Sequence, residues 1–213
     1  MKKVQILIDN PNSWMWEYIY SLETKINSIG LSCKVISNHE DVNQGDVLVL
    51  LSCNRIFKKL ELNTYNLVVH ESDLPKGKGW SPMSWQVIEG KNKIPITLFE
   101  ASEHFDAGGY YIKDEIILSG HELVEEIREL QAKKTFEMIF KFLKSNPLPE
   151  LIEQNGKETF YKRRKPINSK LDEKKSIGEN FNLLRVCDNE NYPAFFEYMG
   201  NQYVLKIYKK KPT

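Results

Sequence analysis

Two residues stand out for the chemistry they could do. His70 closes an apolar run, Leu67-Val-Val, and is followed at once by Glu-Ser-Asp-Leu-Pro. An imidazole at that point is placed to move protons, because ligands of open α/β sheets bind beyond the carboxyl ends of the strands. The segment continues KGKGWSP, whose glycines, proline and tryptophan belong to a loop. Asp106 lies in HFDAGG, between two further apolar runs. An aspartate before small residues makes a turn by itself. Paired with His70 it gains a second use, since a carboxylate beside an imidazole orients it for acid–base work.

Other chemistries find no support. Neither GxGxxG nor GxxxxGK[ST] occurs, which argues against a nicotinamide or nucleoside-triphosphate site. No HExxH or paired-histidine spacing is present, and no metal is expected. The other histidines include His39 and His121, which sit in polar surroundings and read as surface residues. Three cysteines, Cys33, Cys53 and Cys187, form no CxxC pair, so neither a disulfide framework nor a cysteine-rich zinc site is expected. With 30 Lys+Arg against 29 Asp+Glu the net charge is +1, which does not suit a dedicated nucleic-acid binder. The opening MKKVQILIDN holds an apolar run too short for a signal peptide, and no stretch approaches the ~18–20 apolar residues of a membrane span. A cytoplasmic α/β protein is the expectation.

The elements that must carry His70 and Asp106 can be read from periodicity. Val4 to Ile8 predicts a buried strand, and Asn12 or Ser13 can cap the helix after it. Met15, Ile19, Leu22, Ile26 and Ile29 recur at helical spacing, and Gly30 ends the pattern. Leu31–Ile36, the run from Asp46, Leu67–Val69, Ile94–Phe99 and Tyr110–Leu118 read as further strands, with a short helix over Ile56–Leu60. Ser119 and Glu122 have capping-box spacing before a long helix striped by Leu123, Ile127, Leu130, Phe136, Ile139, Phe140 and Leu143. Strands alternating with helices predict a mostly parallel sheet with helices on both faces.

Charge divides the chain. Residues 1–145 carry a net −3 and residues 146–213 a net +4, with the shift at SNPLPE. That break suggests a catalytic domain over 1–145, a basic linker over 146–180 and a small β appendage over 181–213. In the appendage, Leu183–Val186, Ala194–Tyr198 and Tyr203–Tyr208 read as three short strands.

The stretch HESDLPKGKGWSP, then Ile88-Glu-Gly90, then IPITLFEASEHFDAGG resembles the core of the folate-dependent formyltransferases. The matching positions are His70, Ser72, Leu74, Pro75, Gly79, Pro82, Gly90, Thr97, Asp106 and Gly108. The resemblance is close over residues 46–118. It implies a Rossmann-like α/β fold, 10-formyltetrahydrofolate as co-substrate, and His70 and Asp106 as the catalytic pair. It also implies that the pterin lies between Asn54, Arg55, Ile56 and Phe57 on one loop and Ala101, Glu103 and Phe105 on another; ordinary packing is an equal alternative for Ile56 and Phe57. One position departs: Val68 stands where the family usually places an asparagine that holds the formyl oxygen. Asn66, Ser52 and Asn54 are the nearby polar residues, and Asn66 lies about 6–7 Å further down the strand than the required place.

GWSP, the NPNSW segment and the compact length are most similar to the branch that acts on nucleotide-linked amino sugars. That branch implies a primary amine on a nucleotide-linked amino deoxysugar as acceptor. Trp14 and Trp80 are candidates to stack on a nucleobase, and Lys78, Arg163 and Arg164 are candidates to bind a diphosphate. Core packing and solvated charge are the commoner uses of such residues. Other acceptors, an aminoacyl-tRNA or glycinamide ribonucleotide, stay open, as does an inactive binding homologue. Leu183, Phe195, Tyr198, Leu205 and Ile207 form an apolar face in the appendage that needs a partner, and a homodimer is expected there.

Overall fold

The structure is a computed structural model that describes residues 1–210. Its elements run β1 (Lys3–Leu7), α1 (Trp16–Ser28), β2 (Ser32–Ile36), β3 (Gly45–Leu50), β4 (Asn63–His70), β5 (Lys78–Gly79), α2 (Pro82–Ile88), β6 (Lys93–Glu100), β7 (Tyr110–Ile117), α3 (Val124–Lys144), β8 (Phe160–Tyr161), α4 (Ile177–Leu184), β9 (Ala194–Tyr198) and β10 (Asn201–Leu205). Six strands form one sheet in the order β2-β1-β3-β4-β6-β7. The first four are parallel, and β6 and β7 run antiparallel. Chain order reverses between β1 and β3, so a crevice opens at their carboxyl ends, where such sheets bind ligands.

The period-2 alternation of the strands sorts their side chains into two cores. Val4, Ile6, Val47, Val49 and Leu67 meet α1, α2 and α3 through Ile19, Leu22, Met83, Val87, Ile139 and Phe142. Leu7, Leu48 and Leu50 point the other way, into a smaller cluster with Ile36, Val42 and Phe57. Irregular chain over 38–44 and 51–62, with 3₁₀ turns at His39–Asp41 and Leu60–Leu62, supplies that second layer. The residues between β3 and β4 bury Phe57 fully and Leu60 partly, too few to support a helical stripe. The helix expected over Ile56–Leu60 is accordingly absent, and only a single 3₁₀ turn forms at Leu60–Leu62.

Helix starts differ in detail from the sequence expectation. Helix α1 begins at Trp16, and Ser13 acts one turn earlier by accepting the Met15 amide at 3.1 Å. Glu122 does not cap α3 directly; its carboxylate accepts the Ser119 and Gly120 amides, while Glu126 accepts the amide of Leu123.

The strand expected at Leu183–Val186 is instead the end of α4 and the turn after it. Ser176 and Glu179 form a reciprocal capping pair that starts this helix. Leu184, Cys187, Leu171 and Ala194 bury one another, with Leu183, Leu205 and Ile207 packed against them. Much of the tail's apolar face is therefore covered within the chain, and Tyr198, Met199, Tyr203 and Val204 stay exposed. Fully buried Arg185 ties the tail to the sheet by donating to Asn92 at 2.7 Å and facing Glu122 at 3.4 Å. Asp188 takes Arg128 of α3 at 2.8 Å. Burial alone would raise that carboxyl; hydrogen bonds from Asn191, Arg128 and Glu190 hold it well below the usual carboxylate range.

Candidate active site

Strand β4 delivers His70 to the carboxyl edge of the sheet, where the ring is buried. Its Nε2 lies 3.0 Å from the carbonyl oxygen of Gly77. A carbonyl only accepts, so Nε2 carries a proton and Nδ1 is the basic nitrogen of the neutral ring. Asp106 Oδ2 stands 3.8 Å from the same Nε2. That is too long for a hydrogen bond, yet close enough to stabilise an imidazolium when one forms.

The loop between β6 and β7 is built to hold Asp106 there. Its Oδ2 accepts the Gly79 amide at 2.9 Å. Gln154 Nε2 donates to the carbonyls of Asp106 and Gly108 at 2.9 and 2.7 Å. Asp106 has φ +52°, a left-handed conformation that aspartate tolerates better than most residues. At Gly108 a Cβ would lie 1.7 Å from the Glu100 carbonyl oxygen, so only glycine lets the loop cross the strand this closely.

Facing it, the loop after His70 is fixed from both ends. Thr97 donates to the Ser72 carbonyl at 2.6 Å, and Thr159 accepts the Gly77 amide at 2.8 Å. Gly79 has φ +98°, and a Cβ there would meet the Tyr161 carbonyl oxygen at 2.5 Å. Residues 152–161, within the stretch expected to be a linker, thus run along the rim of the site and pair through β8 with β5.

His70 and Asp106 open onto one cleft of about 1860 Å³. A pocket for one small ligand spans roughly 300–1,000 Å³, so this cleft has room for two ligands side by side. Asn54, Arg55, Ile56, Phe57, Ala101 and Phe105 line one wall. Glu103 is exposed and does not line it. Phe57 is buried against Leu7 and Leu50, so its main work is packing. Asp9 shapes this wall and gave no motif in the sequence: its carboxylate accepts the Asn54 and Arg55 amides at 2.5 and 3.2 Å and meets His39 Nε2 at 2.8 Å. The nearby Cys53 thiol is no nucleophile, since burial pushes it up to about 12.

Trp14, Trp80, Arg163 and Arg164 also line the cleft, as do Arg128, Gln131 and Tyr192. The Arg163 guanidinium sits 4.6 Å above the Trp80 ring. Arg164 is committed elsewhere, donating to the Val186 carbonyl and to Ser169 at 3.2 Å each. Lys78 is the clear correction. It is buried, its ammonium is paired with Glu158, and it does not line the cleft. Asn66 is likewise turned away, donating to the Leu60 carbonyl at 3.0 Å and to Glu100. It cannot replace the amide missing at Val68. Val68 itself lines the cleft, as do Ser52 and Asn54, and Ser52 Oγ accepts from Ser13 at 2.8 Å.

No family model matches the sequence. Solved structures do match the fold. A methionyl-tRNA formyltransferase from Clostridium thermocellum superposes with a TM-score of 0.81 at 22% identity, covering 99% of this chain and 94% of that one. A 4-N formyltransferase from Francisella tularensis gives 0.67 at 17% identity, with 99% of each chain covered. HypX from Aquifex aeolicus in complex with tetrahydrofolic acid gives 0.73 at 13% identity, over 96% of this chain and 37% of that one. The chain has the formyltransferase fold, a mostly parallel α/β sheet with a small antiparallel strand pair after it.

Proposed function

We propose that the chain is a folate-dependent N-formyltransferase. It moves the formyl group of 10-formyltetrahydrofolate to the primary amine of a nucleotide-linked amino deoxysugar, giving a formamido sugar for a surface polysaccharide or glycan. The observation that carries this reading is the meeting of His70 and Asp106 on a cleft large enough for donor and acceptor together. Fold likeness adds a 4-N formyltransferase and a protein that holds tetrahydrofolic acid.

In this reading the pterin lies against the wall of Asn54, Arg55, Ile56, Ala101 and Phe105. The acceptor lies against Trp14, Trp80 and Arg163. The amine attacks the formyl carbon, and the tetrahedral oxyanion is stabilised by the His70 side of the cleft. Neutral His70 takes a proton at Nδ1, and the Asp106 carboxylate stabilises the imidazolium. Collapse of the intermediate breaks the bond to folate N10, which leaves with a proton from the imidazolium. Val68, at the usual asparagine position, has no donor to offer, so the oxyanion's donor falls to Ser52 or Asn54, which line the same cleft. We place the reaction in the cytoplasm, in keeping with the unpaired thiols Cys33, Cys53 and Cys187. Among the described residues no helix is long and apolar enough to cross a membrane. Two copies pair through the exposed rim of the β9–β10 hairpin.

The rival acceptor is an aminoacyl-tRNA, because the Clostridium relative is a methionyl-tRNA formyltransferase. The net charge of +1 counts against it, since tRNA binding draws on a strong basic excess. Mass spectrometry of amine acceptors incubated with 10-formyltetrahydrofolate tests both. A mass gain of one formyl group on a nucleotide-linked amino sugar is the expected result. Gain only on aminoacyl-tRNA replaces the acceptor, and no gain on any amine leaves a binding homologue.

A further inference from the structure

Glu71 follows His70 directly and plays no part in the sequence motif beyond its place. In the structure its side chain turns from the His70 side toward α3, where Gln131 Nε2 donates to Oε1 at 2.7 Å. Its backbone carbonyl is gripped by Gln86 of α2 at 2.6 Å. The residue is thus held by two helices, and it lines the cleft together with Trp14, Arg128 and Gln131. Oε2 makes no hydrogen bond to the described residues. Among those residues no cation pairs with this carboxylate: Arg128 on the same wall is engaged by Asp188 at 2.8 Å. This partly buried carboxylate has one oxygen fixed by Gln131, belongs to a residue that lines the ligand cleft, and lacks a positive partner that the ligand could bring.

We propose that Glu71 binds the acceptor's ammonium and takes its first proton. This rests on the formyltransferase reading and adds the residue that selects and activates the amine. At neutral pH a sugar amine is largely an ammonium and has no lone pair to attack with. In the proposed step Glu71 carboxylate and R–NH3⁺ become Glu71 carboxylic acid and R–NH2. The amine lone pair then forms the C–N bond to the formyl carbon. The second nitrogen proton passes through His70 to folate N10 as the C–N10 bond breaks, and Glu71 returns its proton to water. One formyl group and one net proton are accounted for, with no redox change. Burial raises the Glu71 carboxyl above the usual range, against smaller opposing effects of His70 and the Gln131 hydrogen bond, and Asp106 adds to the rise. A raised carboxyl is a better match for an amine's proton than a solvated one.

The test uses the full chain and two probes, a dTDP-linked 4-amino-4,6-dideoxyhexose and its 4-hydroxyl counterpart. Calorimetric binding to wild type should favour the amine by about tenfold, as a charge-assisted contact does. Glu71→Gln keeps size and the Gln131 contact, and should bind the two probes alike. Its folate affinity should stay at the wild-type level, which a merely structural loss would not allow. Glu71→Asp should recover part of the preference. A wild-type chain with no preference, or a Gln variant that keeps it, overturns the proposal. Turnover is read separately: absence of formyl transfer to any amine defeats the enzyme reading, while the binding difference still reports on Glu71.

Discussion

Asp106 Oδ2 stands 3.8 Å from His70 Nε2 while accepting the Gly79 amide at 2.9 Å. The carboxylate is therefore positioned by backbone on one side and faces the imidazole on the other. It can hold a transient positive charge without being bound to the ring beforehand. His70→Asn or Asp106→Asn should lower kcat by roughly two to four decades, the range of acid–base groups. Both side chains lie at a rim outside the two apolar clusters, so the variants should fold. Wild-type turnover in either variant would remove the pair from the mechanism.

Val68 offers a gain-of-function test. It lines the cleft two residues before His70 and packs beside Phe57 and Ala101. Val68→Asn restores an amide donor at the position where the related pattern has one. The expected outcome is a kcat raised by about a hundredfold, the lower end of the range of one oxyanion donor. A cost of about 1–3 kcal/mol in stability should accompany it, because part of that cluster is apolar. An unchanged rate in a folded variant would show that the oxyanion is already fully served.

Lys78 and Arg163, both candidates for a diphosphate by sequence, have different surroundings and should behave differently. Lys78 is buried on Glu158, whereas the Arg163 guanidinium lies over Trp80 in the cleft. Lys78→Met should leave the acceptor KM near wild type and lower stability by about 1–3 kcal/mol, less than a fully buried pair because Glu158 is half exposed. Arg163→Ala should raise the acceptor KM by roughly tenfold with little change in stability. Urea midpoints and KM values for each variant decide between these assignments and the reverse.

The contrast shows which features are legible in a sequence. His70, Asp106 and the glycines around them form a local pattern, and local patterns can be read along the chain. The position of Lys78 follows from its distance along the chain, but its direction does not; β5 turns it inward. Gln154 and Asp9 hold the site by hydrogen bonds to segments distant in sequence, and no periodicity marks them. Helix α4 is different, because Ser176-Ile-Gly-Glu179 is a readable start signal that competes with the strand-like apolar run after it. The first four strands are legible for the opposite reason: their short apolar runs are imposed by two packed faces.

The C-terminal hairpin bears on assembly. Its inner face is covered by α4 and Leu171, leaving Tyr198, Met199, Tyr203 and Val204 exposed. A second copy seated on this rim should give a dimer in sedimentation at tens of micromolar, and Tyr203→Lys with Val204→Lys should shift it to monomer. A wild-type chain that sediments as a monomer would mean that the intramolecular contacts are the tail's whole partner surface.

Glu71 also makes a prediction about stability that does not depend on turnover. Its folded carboxyl is raised above the ordinary value, chiefly by burial. A group raised in the folded state binds its proton more tightly there than in the unfolded chain. The folded state therefore gains from it fully below the ordinary carboxylate value, and loses that gain as pH rises through the folded value. Wherever it is ionised, the desolvated carboxylate is a net cost, which a site for a positive ligand retains at the expense of stability. Glu71→Gln removes the charge but keeps the donor from Gln131 satisfied. Its Tm should exceed that of wild type near pH 7, and the gap should shrink as pH falls into the ordinary carboxylate range. An ammonium-bearing acceptor should raise the wild-type Tm at pH 7 by more than it raises that of the Gln variant, which keeps only the contacts that the hydroxyl probe also makes. Thermal scans at several pH values, with and without the amine probe, measure both effects; equal melting of the two chains at every pH would show that Glu71 bears no desolvated charge.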